Sequence, residues 1–326
     1  MERTLSGALL EVTNLTVQFA ARRPWFKRPP PPIRAVQDVS FSIAPREIVG
    51  LVGESGSGKS TLARALLRLI EATSGSVRFE GVELLGLEGR ALKNMRRGMQ
   101  VIFQDPYASL NPRMTAGQNI AEGLRLQAHG AQSSAATVAD LLHQVGLPRA
   151  AAHRYPHEFS GGQRQRIGIA RALAVQPRLV IADEPVSALD MSVQAQILNL
   201  LLDEQERRGL ALLFIGHDLS VIRHFCDRVL VFYSGRIVEN GATEQVFANP
   251  RHPYTRALIA AAPVAHPARR RVRDAISGEP PSAPSAAAAC AFRFRCVHAL
   301  GACGADTPSL RNTGAQHWVA CIRDDI

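Results

Sequence analysis

A glycine-rich run at residues 53–60 has the residue types that bind a polyphosphate. Its sequence, GESGSGKS, lies between the apolar stretch Ile48–Val52 and a stretch of helical periodicity that begins at Ser60. Glycines let backbone N–H groups point inward around phosphate oxygens, and the start of a helix adds favourable partial charge. We therefore predict a phosphate-binding loop in which Lys59 neutralises phosphates and Ser60 ligates magnesium. The residues predicted to hold the ligand here are Gly53, Ser55, Gly56, Gly58, Lys59, Ser60 and Thr61.

Two adjacent carboxylates follow a second apolar run, Leu179–Ala182. This run predicts a buried strand, and Asp183 and Glu184 at its C-terminal end lie where open α/β sheets bind their ligands. Taken alone, the pair is equally consistent with a solvated loop. Combined with the phosphate-binding loop, it predicts a hydrolytic site in which Asp183 holds magnesium and Glu184 polarises the attacking water.

The run Phe159–Arg166, FSGGQRQR, is similar to the signature motif of the ATP-binding cassette (ABC) ATPases. Further marks of that family follow in the expected order: Gln104 after a predicted strand, the segment Ser187–Asp190, and His217. The resemblance implies the α/β fold of a P-loop ABC cassette, with a mixed sheet core. We expect this domain to occupy residues 1–250, with an inserted helical subdomain at about 105–166.

The resemblance also implies a composite site that binds ATP and Mg²⁺ between two ATPase subunits arranged head to tail. Gln104, Glu184 and His217 are the implied catalytic residues, and Gln104 and Asp183 are placed at the magnesium ion. The signature motif of one subunit would contact the γ-phosphate of the nucleotide held by the other. Outside the phosphate-binding loop, the implied nucleotide-binding residues are Ser160, Gly161, Gly162, Gln163 and Asp190. Phe19 is the candidate for stacking on adenine, and a core aromatic at a strand end is the alternative.

Two segments outside the nucleotide motifs narrow the resemblance. Residues 104–113, QDPYASLNPR, and 252–256, HPYTR, resemble marks of the ATPase subunits of dipeptide, oligopeptide and nickel importers. The chain is thus expected to power uptake of peptides or a related small solute such as nickel, as a peripheral protein on the cytoplasmic face of the inner membrane. The implied partners are a second ATPase subunit, two transmembrane permease subunits and an extracytoplasmic solute-binding protein.

The C-terminal extension expected at residues 251–326 contains four cysteines separated by gaps of five, six and 17 residues. These gaps lack the close C-x-x-C pairs of structural zinc sites and match neither common ferredoxin spacing. Some members of the importer family carry a similar tail that ligates a [4Fe-4S] cluster, so the resemblance implies one on Cys290, Cys296, Cys303 and Cys321. Zinc and free thiols remain alternatives. The fifth cysteine, Cys226, is predicted to be a buried small hydrophobe.

The elements that must position these residues alternate between strand and helix. Together with Ile48–Val52 and Leu179–Ala182, the apolar run Ala211–Ile215 predicts a largely parallel sheet, and residues 105–166 are mainly helical in pattern. Further strands are predicted at Leu9–Phe19, Ile33–Ile43 and, as a hairpin, Val229–Tyr233 and Ile237–Glu239. An exposed proline-rich loop at Arg22–Pro32 and a linker at Gly278–Ala289 are also predicted.

The composition bounds the remaining alternatives. The chain has 326 residues, 46% of them hydrophobic, and its apolar runs fall short of the roughly 20 residues of a membrane helix. The net charge of +10 comes from 35 Arg and only three Lys, scattered apart from the cluster Arg269–Arg273, so no nucleic-acid partner is predicted. An ABC exporter ATPase and a soluble nucleic-acid-associated ABC ATPase are the alternative functions. The first would lack the importer segments, and the second usually shows coiled-coil insertions or duplicated cassettes.

Overall fold

The computed structural model describes residues 7–20, 32–125, 135–187, 189–261 and 289–325. The predicted proline-rich loop, the arginine cluster and the predicted linker lie outside the described residues, apart from Pro32 and Ala289. The described residues divide into two compact units. The first unit takes its residues from Met1–Leu9, Ile43–Glu47 and Phe79–Ile215, and the second from Leu10–Ser42, Ile48–Arg78 and Gly216–Ile326.

The described strands and helices follow the alternation expected from the sequence. The strands are β1 Leu10–Phe19, β2 Ile33–Ile43, β3 Ile48–Val52, β4 Ser74–Phe79, β5 Val82–Glu83, β6 Met99–Ile102, β7 Leu179–Asp183, β8 Ala211–Gly216, β9 Arg228–Tyr233, β10 Arg236–Ala242, β11 Arg311–Asn312 and β12 Trp318–Val319. The helices are α1 Lys59–Leu66, α2 Gly89–Gly98, α3 Pro106–Ser109, α4 Ala116–Arg125, α5 Ala135–Gln144, α6 Gly161–Ala174, α7 Met191–Arg208, α8 Leu219–Phe225, α9 Thr243–Ala248 and α10 Pro253–Ala261. Short 3-10 turns occur at Arg149–His153, Pro156–Glu158 and Gly301–Gly304.

The sheet of the first unit is parallel, in the order β8-β7-β6. Leu179 of β7 lies opposite Ala211 on one side and Met99 on the other. Every residue of β7 and β8 is buried. Strands covered on both faces are apolar along their whole length. The two apolar runs in the sequence therefore predicted these strands correctly.

The helical region of the first unit is organised around α6. This helix packs against α3, α4, α5 and strand β6. Ten of its residues are buried, including the side chains of Arg164 and Gln165. The mainly helical pattern predicted for residues 105–166 is thus present. None of the described helices combines the length and the apolar character needed to cross a membrane.

The sheet of the second unit has the order β11-β12-β10-β9-β3. Strands β3 and β9 run parallel, and the other neighbours are antiparallel. The predicted hairpin is present as β9 and β10, whose turn places Ser234 and Gly235 at φ values of 48° and 82°. Strands β2, β1 and β4 lie side by side in a separate sheet. The predicted burial of Cys226 is confirmed, since its side chain is 7% exposed.

A buried carboxylate on β10 joins helix α10 and the β11–β12 hairpin within the second unit. Glu239 on β10 is fully buried and accepts hydrogen bonds from the backbone N–H groups of Arg251 and His252. Its Oε1 also lies 2.7 Å from Nε2 of His317, in the turn that leads into β12. A buried carboxylate is costly unless its oxygens are hydrogen-bonded. Glu239 therefore fixes the start of α10 and the β11–β12 hairpin to the same strand.

His252 makes the stability of this unit depend on pH. Its burial lowers the pKa of the imidazole to about 4, and Nδ1 accepts the N–H of Tyr254 at 3.1 Å. Because the unfolded chain binds the extra proton near pH 6.5, stability should fall by about 2 kcal/mol between pH 7 and pH 5. In His252→Asn the side-chain oxygen can accept the same N–H without titrating. Urea unfolding should show a flatter pH dependence in this variant, and equal slopes would contradict the assignment.

Candidate phosphate-binding and hydrolytic site

The phosphate-binding loop connects β3 to α1 in the second unit, as predicted. Gly58 is the N-cap of α1, has a φ of 107° and provides no side chain to cap the first N–H groups of the helix. The loop is fixed by backbone hydrogen bonds, from Ser57 N–H to the Glu54 carbonyl and from Gly235 N–H to the Ser57 carbonyl. An uncapped helix start next to a rigid glycine loop is a favourable place for phosphate oxygens.

Lys59 is almost completely buried at the start of α1, with 5% exposure. Its ammonium group donates to the carbonyls of Gly53 and Glu54 at 2.7 and 2.9 Å, and lies 3.4 Å from the Ser57 hydroxyl. A lysine this buried needs partners for its charge. The two carbonyls therefore hold the ammonium group against the loop, where the sequence predicts that phosphates bind.

The two carboxylates lie at the end of β7 in the first unit. Asp183 is the last residue of the strand and is 6% exposed. Glu184 has a φ of 46°, its N–H donates to the carbonyl of Ile215, and its Oε2 accepts a hydrogen bond of 3.0 Å from Nε2 of Gln104. A non-glycine residue in the left-handed region is uncommon and is often found at functional sites. The structure thus brings Gln104 and Glu184 together, although 80 residues separate them.

The signature residues begin helix α6. Ser160 is its N-cap, and its hydroxyl oxygen accepts from the N–H of Gln163, whose side-chain Oε1 accepts in return from the N–H of Ser160. This reciprocal pair is a capping box, so Gln163 has a structural role at the position where the sequence predicted a nucleotide contact. The Ser160 hydroxyl still has its own proton to donate, because it acts only as an acceptor in the capping box.

The two signature glycines face different surroundings. A Cβ at Gly162 would lie 2.5 Å from Cγ1 of Val193, whereas one at Gly161 would lie 3.6 Å from Cδ2 of Leu189. Gly162→Ala should therefore destabilise the fold by about 1–3 kcal/mol, since valine cannot turn its methyl group away. Val193→Ala in the same chain should recover most of the loss in urea unfolding. Gly161→Ala is the matched control and should stay within about 0.5 kcal/mol of the parent.

The remaining predicted residues lie at element ends. Asp190 is the exposed N-cap of α7, and its pKa is lowered because its carboxylate accepts from the Val193 N–H and the Ser192 hydroxyl. His217 directly follows β8, one residue before the N-cap of α8, and belongs to the second unit. Phe19 ends β1 with 42% of its surface exposed.

The four tail cysteines surround one pocket of the second unit. Cys290, Cys296, Cys303 and Cys321 all line it, together with His252. Burial, above all, raises the thiol pKa of the three at positions 290, 296 and 321, and the neighbouring thiols raise it further. Among the described residues, no three His, Cys, Asp or Glu side chains form a group that could hold a metal ion. The four cysteines of the tail thus share one pocket, and a ligand on them stays a prediction.

The structure adds contacts to the phosphate-binding loop that the sequence did not predict. The N–H of Glu54 donates to the hydroxyl of Tyr254 at 2.9 Å, and its carboxylate pairs with Arg295. The sequence indicates Tyr254 only as part of the HPYTR segment and gives no signal for Arg295. Opposite charges 241 residues apart give no local pattern, so no sequence signal was available for this pair.

Comparisons with known proteins agree with the geometry. A family model described as "ABC transporter" matches residues 36–187, and one described as "Oligopeptide/dipeptide transporter, C-terminal region" matches residues 238–303. The chain is 52% identical over 319 residues to a peptide import ATP-binding protein of Brucella ovis, covering 98% of both chains. It is 47% identical to the oligopeptide transport ATP-binding protein OppF of Escherichia coli, covering 97% of this chain and 96% of OppF. A dimeric ATP-binding cassette solved with ADP and Pi superimposes with a TM-score of 0.64 at 30% identity, over 72% of this chain and 98% of that one.

Proposed function

Because this chain belongs to the family of ABC transporter ATPases, we propose that it is the ATP-hydrolysing subunit of an importer for peptides. The observation that carries the proposal is its identity of about half, over almost the full length, to proteins named for peptide and oligopeptide import. These matches favour import over the exporter and the nucleic-acid-associated alternatives, because they include the C-terminal region as well as the nucleotide motifs.

Hydrolysis is proposed to follow an in-line attack of water on the γ-phosphate of ATP. Glu184 acts as general base, and the Gln104 amide donor at 3.0 Å orients its carboxylate. Lys59 and the N–H groups at the start of α1 bind the phosphates, and Ser60, Asp183 and Gln104 are proposed at the Mg²⁺ ion. His217 contacts the γ-phosphate in this proposal.

The signature residues complete the site from a second ATPase subunit. Ser160, Gly161 and Gly162 would offer hydroxyl and N–H donors to the γ-phosphate, with Gln163 and Asp190 close to the subunit boundary and Phe19 stacked on the adenine. The γ-phosphate exists only before hydrolysis. ATP therefore holds the two ATPase subunits together, and ADP lets them separate. The helices near Gln104 transmit this movement to two membrane permease subunits, which the ATPase subunits contact from the cytoplasmic face. An extracytoplasmic protein that binds the peptide is the further proposed partner.

We also propose a [4Fe-4S] cluster on Cys290, Cys296, Cys303 and Cys321. The four thiols line a single pocket, which supports one shared ligand, but in the described residues they do not form a ready-made metal site, so the cluster would have to draw them together. Burial raises the pKa of the Cys290, Cys296 and Cys321 thiols, so a metal must displace their protons. Such a cluster would cross-link the tail. Anaerobically purified protein should contain iron and acid-labile sulfide, which Cys303→Ser should lower and the control Cys226→Ser should leave unchanged. A clean zinc stoichiometry would refute the cluster.

Co-purification and transport test the main proposal. The chain should be recovered with two membrane proteins, and the complex in vesicles should hydrolyse ATP and take up peptide when the binding protein and its peptide are present. Recovery with ribosomes or DNA, or peptide movement in the export direction only, would reject the importer assignment.

A further inference from the structure

Glu54, the second residue of the phosphate-binding loop, is held by three separate groups. Its carboxylate oxygens accept two hydrogen bonds from the guanidinium of Arg295, at 2.8 and 2.9 Å. Its N–H donates to the Tyr254 hydroxyl at 2.9 Å, and its carbonyl accepts from Lys59 at 2.9 Å. The side chain, the N–H and the carbonyl of this one loop residue are therefore all fixed.

Arg295 brings the cysteine-bearing tail into contact with the loop. It stands directly before Cys296, its side chain is 7% exposed, and its N–H donates to the carbonyl of Phe292. The rings of Phe292, Tyr233 and Tyr254 pack together, with centroids 4.5 to 5.4 Å apart. Arg295 thus lies on an aromatic cluster that joins the tail to the loop.

The Glu54–Arg295 ion pair also removes the repulsion expected between the Glu54 carboxylate and phosphates bound by the loop. A carboxylate next to a polyphosphate site repels the ligand, and a pair with so little exposure is weakly screened by salt. The bidentate guanidinium cancels the Glu54 charge and fixes its position. Without Arg295, Glu54 would keep a negative charge beside the phosphates.

We propose that Arg295 is a positioning residue for nucleotide binding, which neutralises Glu54 and orders the phosphate-binding loop. The segment at residues 289–325 then forms part of the nucleotide site, although it lies far from the nucleotide motifs in the sequence. This inference rests on the proposed binding of ATP by the loop.

The test is ATP binding by the full-length chain, measured at several salt concentrations alongside urea unfolding. Arg295→Met should weaken ATP affinity about tenfold, mostly as a rise in KM for ATP with a small change in kcat. Glu54→Gln should bind ATP at least as tightly as the parent, because it leaves the positive charge of Arg295 near the loop with no carboxylate to offset it. The double variant should recover most of the loss. Arg293→Met is the matched control and should bind normally, since Arg293 contacts the Cys290 carbonyl and the Phe294 ring instead.

The outcomes separate this inference from the proposed function. If the parent chain binds ATP and Arg295→Met binds it equally well, the positioning role is wrong and the ATPase proposal stands. If Glu54→Gln weakens binding as much as Arg295→Met does, the pair is merely structural and the charge argument fails. If the parent does not bind ATP at all, the proposed function fails first. If Arg295→Met does not fold, the ATP affinities of two other variants still test the inference. Arg295→Lys should bind ATP about threefold more weakly than the parent, whereas Glu54→Gln should not bind it more weakly.

Discussion

Glu184→Gln is expected to bind ATP as tightly as the parent chain and to hydrolyse it at least about 100-fold more slowly. The amide has nearly the shape of the carboxylate and can still accept the hydrogen bond from Gln104, but it cannot take a proton from water. Because the γ-phosphate persists, the variant should also remain dimeric with ATP. Single-turnover hydrolysis and the apparent mass in the presence of ATP measure both effects.

A second carboxylate provides the control for this prediction. Glu206 is exposed near the end of α7, and Glu206→Gln should leave both binding and turnover unchanged. Hydrolysis by Glu184→Gln at a tenth or more of the parent rate would remove Glu184 from the role of general base. Loss of ATP binding in that variant would instead mean that the carboxylate holds the loop around it in shape.

Gly58→Ala should lose both stability and ATP binding. At its φ of 107°, a Cβ would overlap the backbone carbonyl oxygen of Ala35, and the ring of Phe232 would lie 3.2 Å away. Backbone cannot give way as a side-chain end does, so the loop around Gly58 must move away from Ala35. We expect the substitution to destabilise the loop conformation that binds ATP by about 3 kcal/mol. A loss of this size corresponds to an ATP affinity about 100-fold weaker.

Gly56→Ala separates the steric overlap with Ala35 from the strain of a positive φ. Gly56 also has a positive φ, 79°, but a Cβ there would meet no atom within 4 Å. It should cost only the roughly 1 kcal/mol of a left-handed alanine. Isothermal titration with ATP and urea unfolding compare the two variants. Equal losses at both positions would show that strain, and not the contact with Ala35, controls the loop.

The nucleotide motifs and the strands that carry them were predictable because each is local. Residues 53–60 are contiguous, and the fully buried runs of β7 and β8 are apolar along their length. The predicted family and cassette fold are confirmed by the comparisons. The catalytic and nucleotide-binding roles of Glu184, Lys59 and the signature residues stay predictions.

Other parts of the candidate site depend on where distant segments meet. The amino-acid sequence by itself determined the phosphate-binding loop and the carboxylate pair, since adjacent residues form them. Only the tertiary structure decided that Gln104 contacts Glu184, that four cysteines surround one pocket, and that Arg295 pairs with Glu54. Such contacts join residues up to 241 positions apart, and they form only when packing brings the segments together. Periodicity and spacing describe the neighbours of a residue along the chain, and they contain no information about those partners.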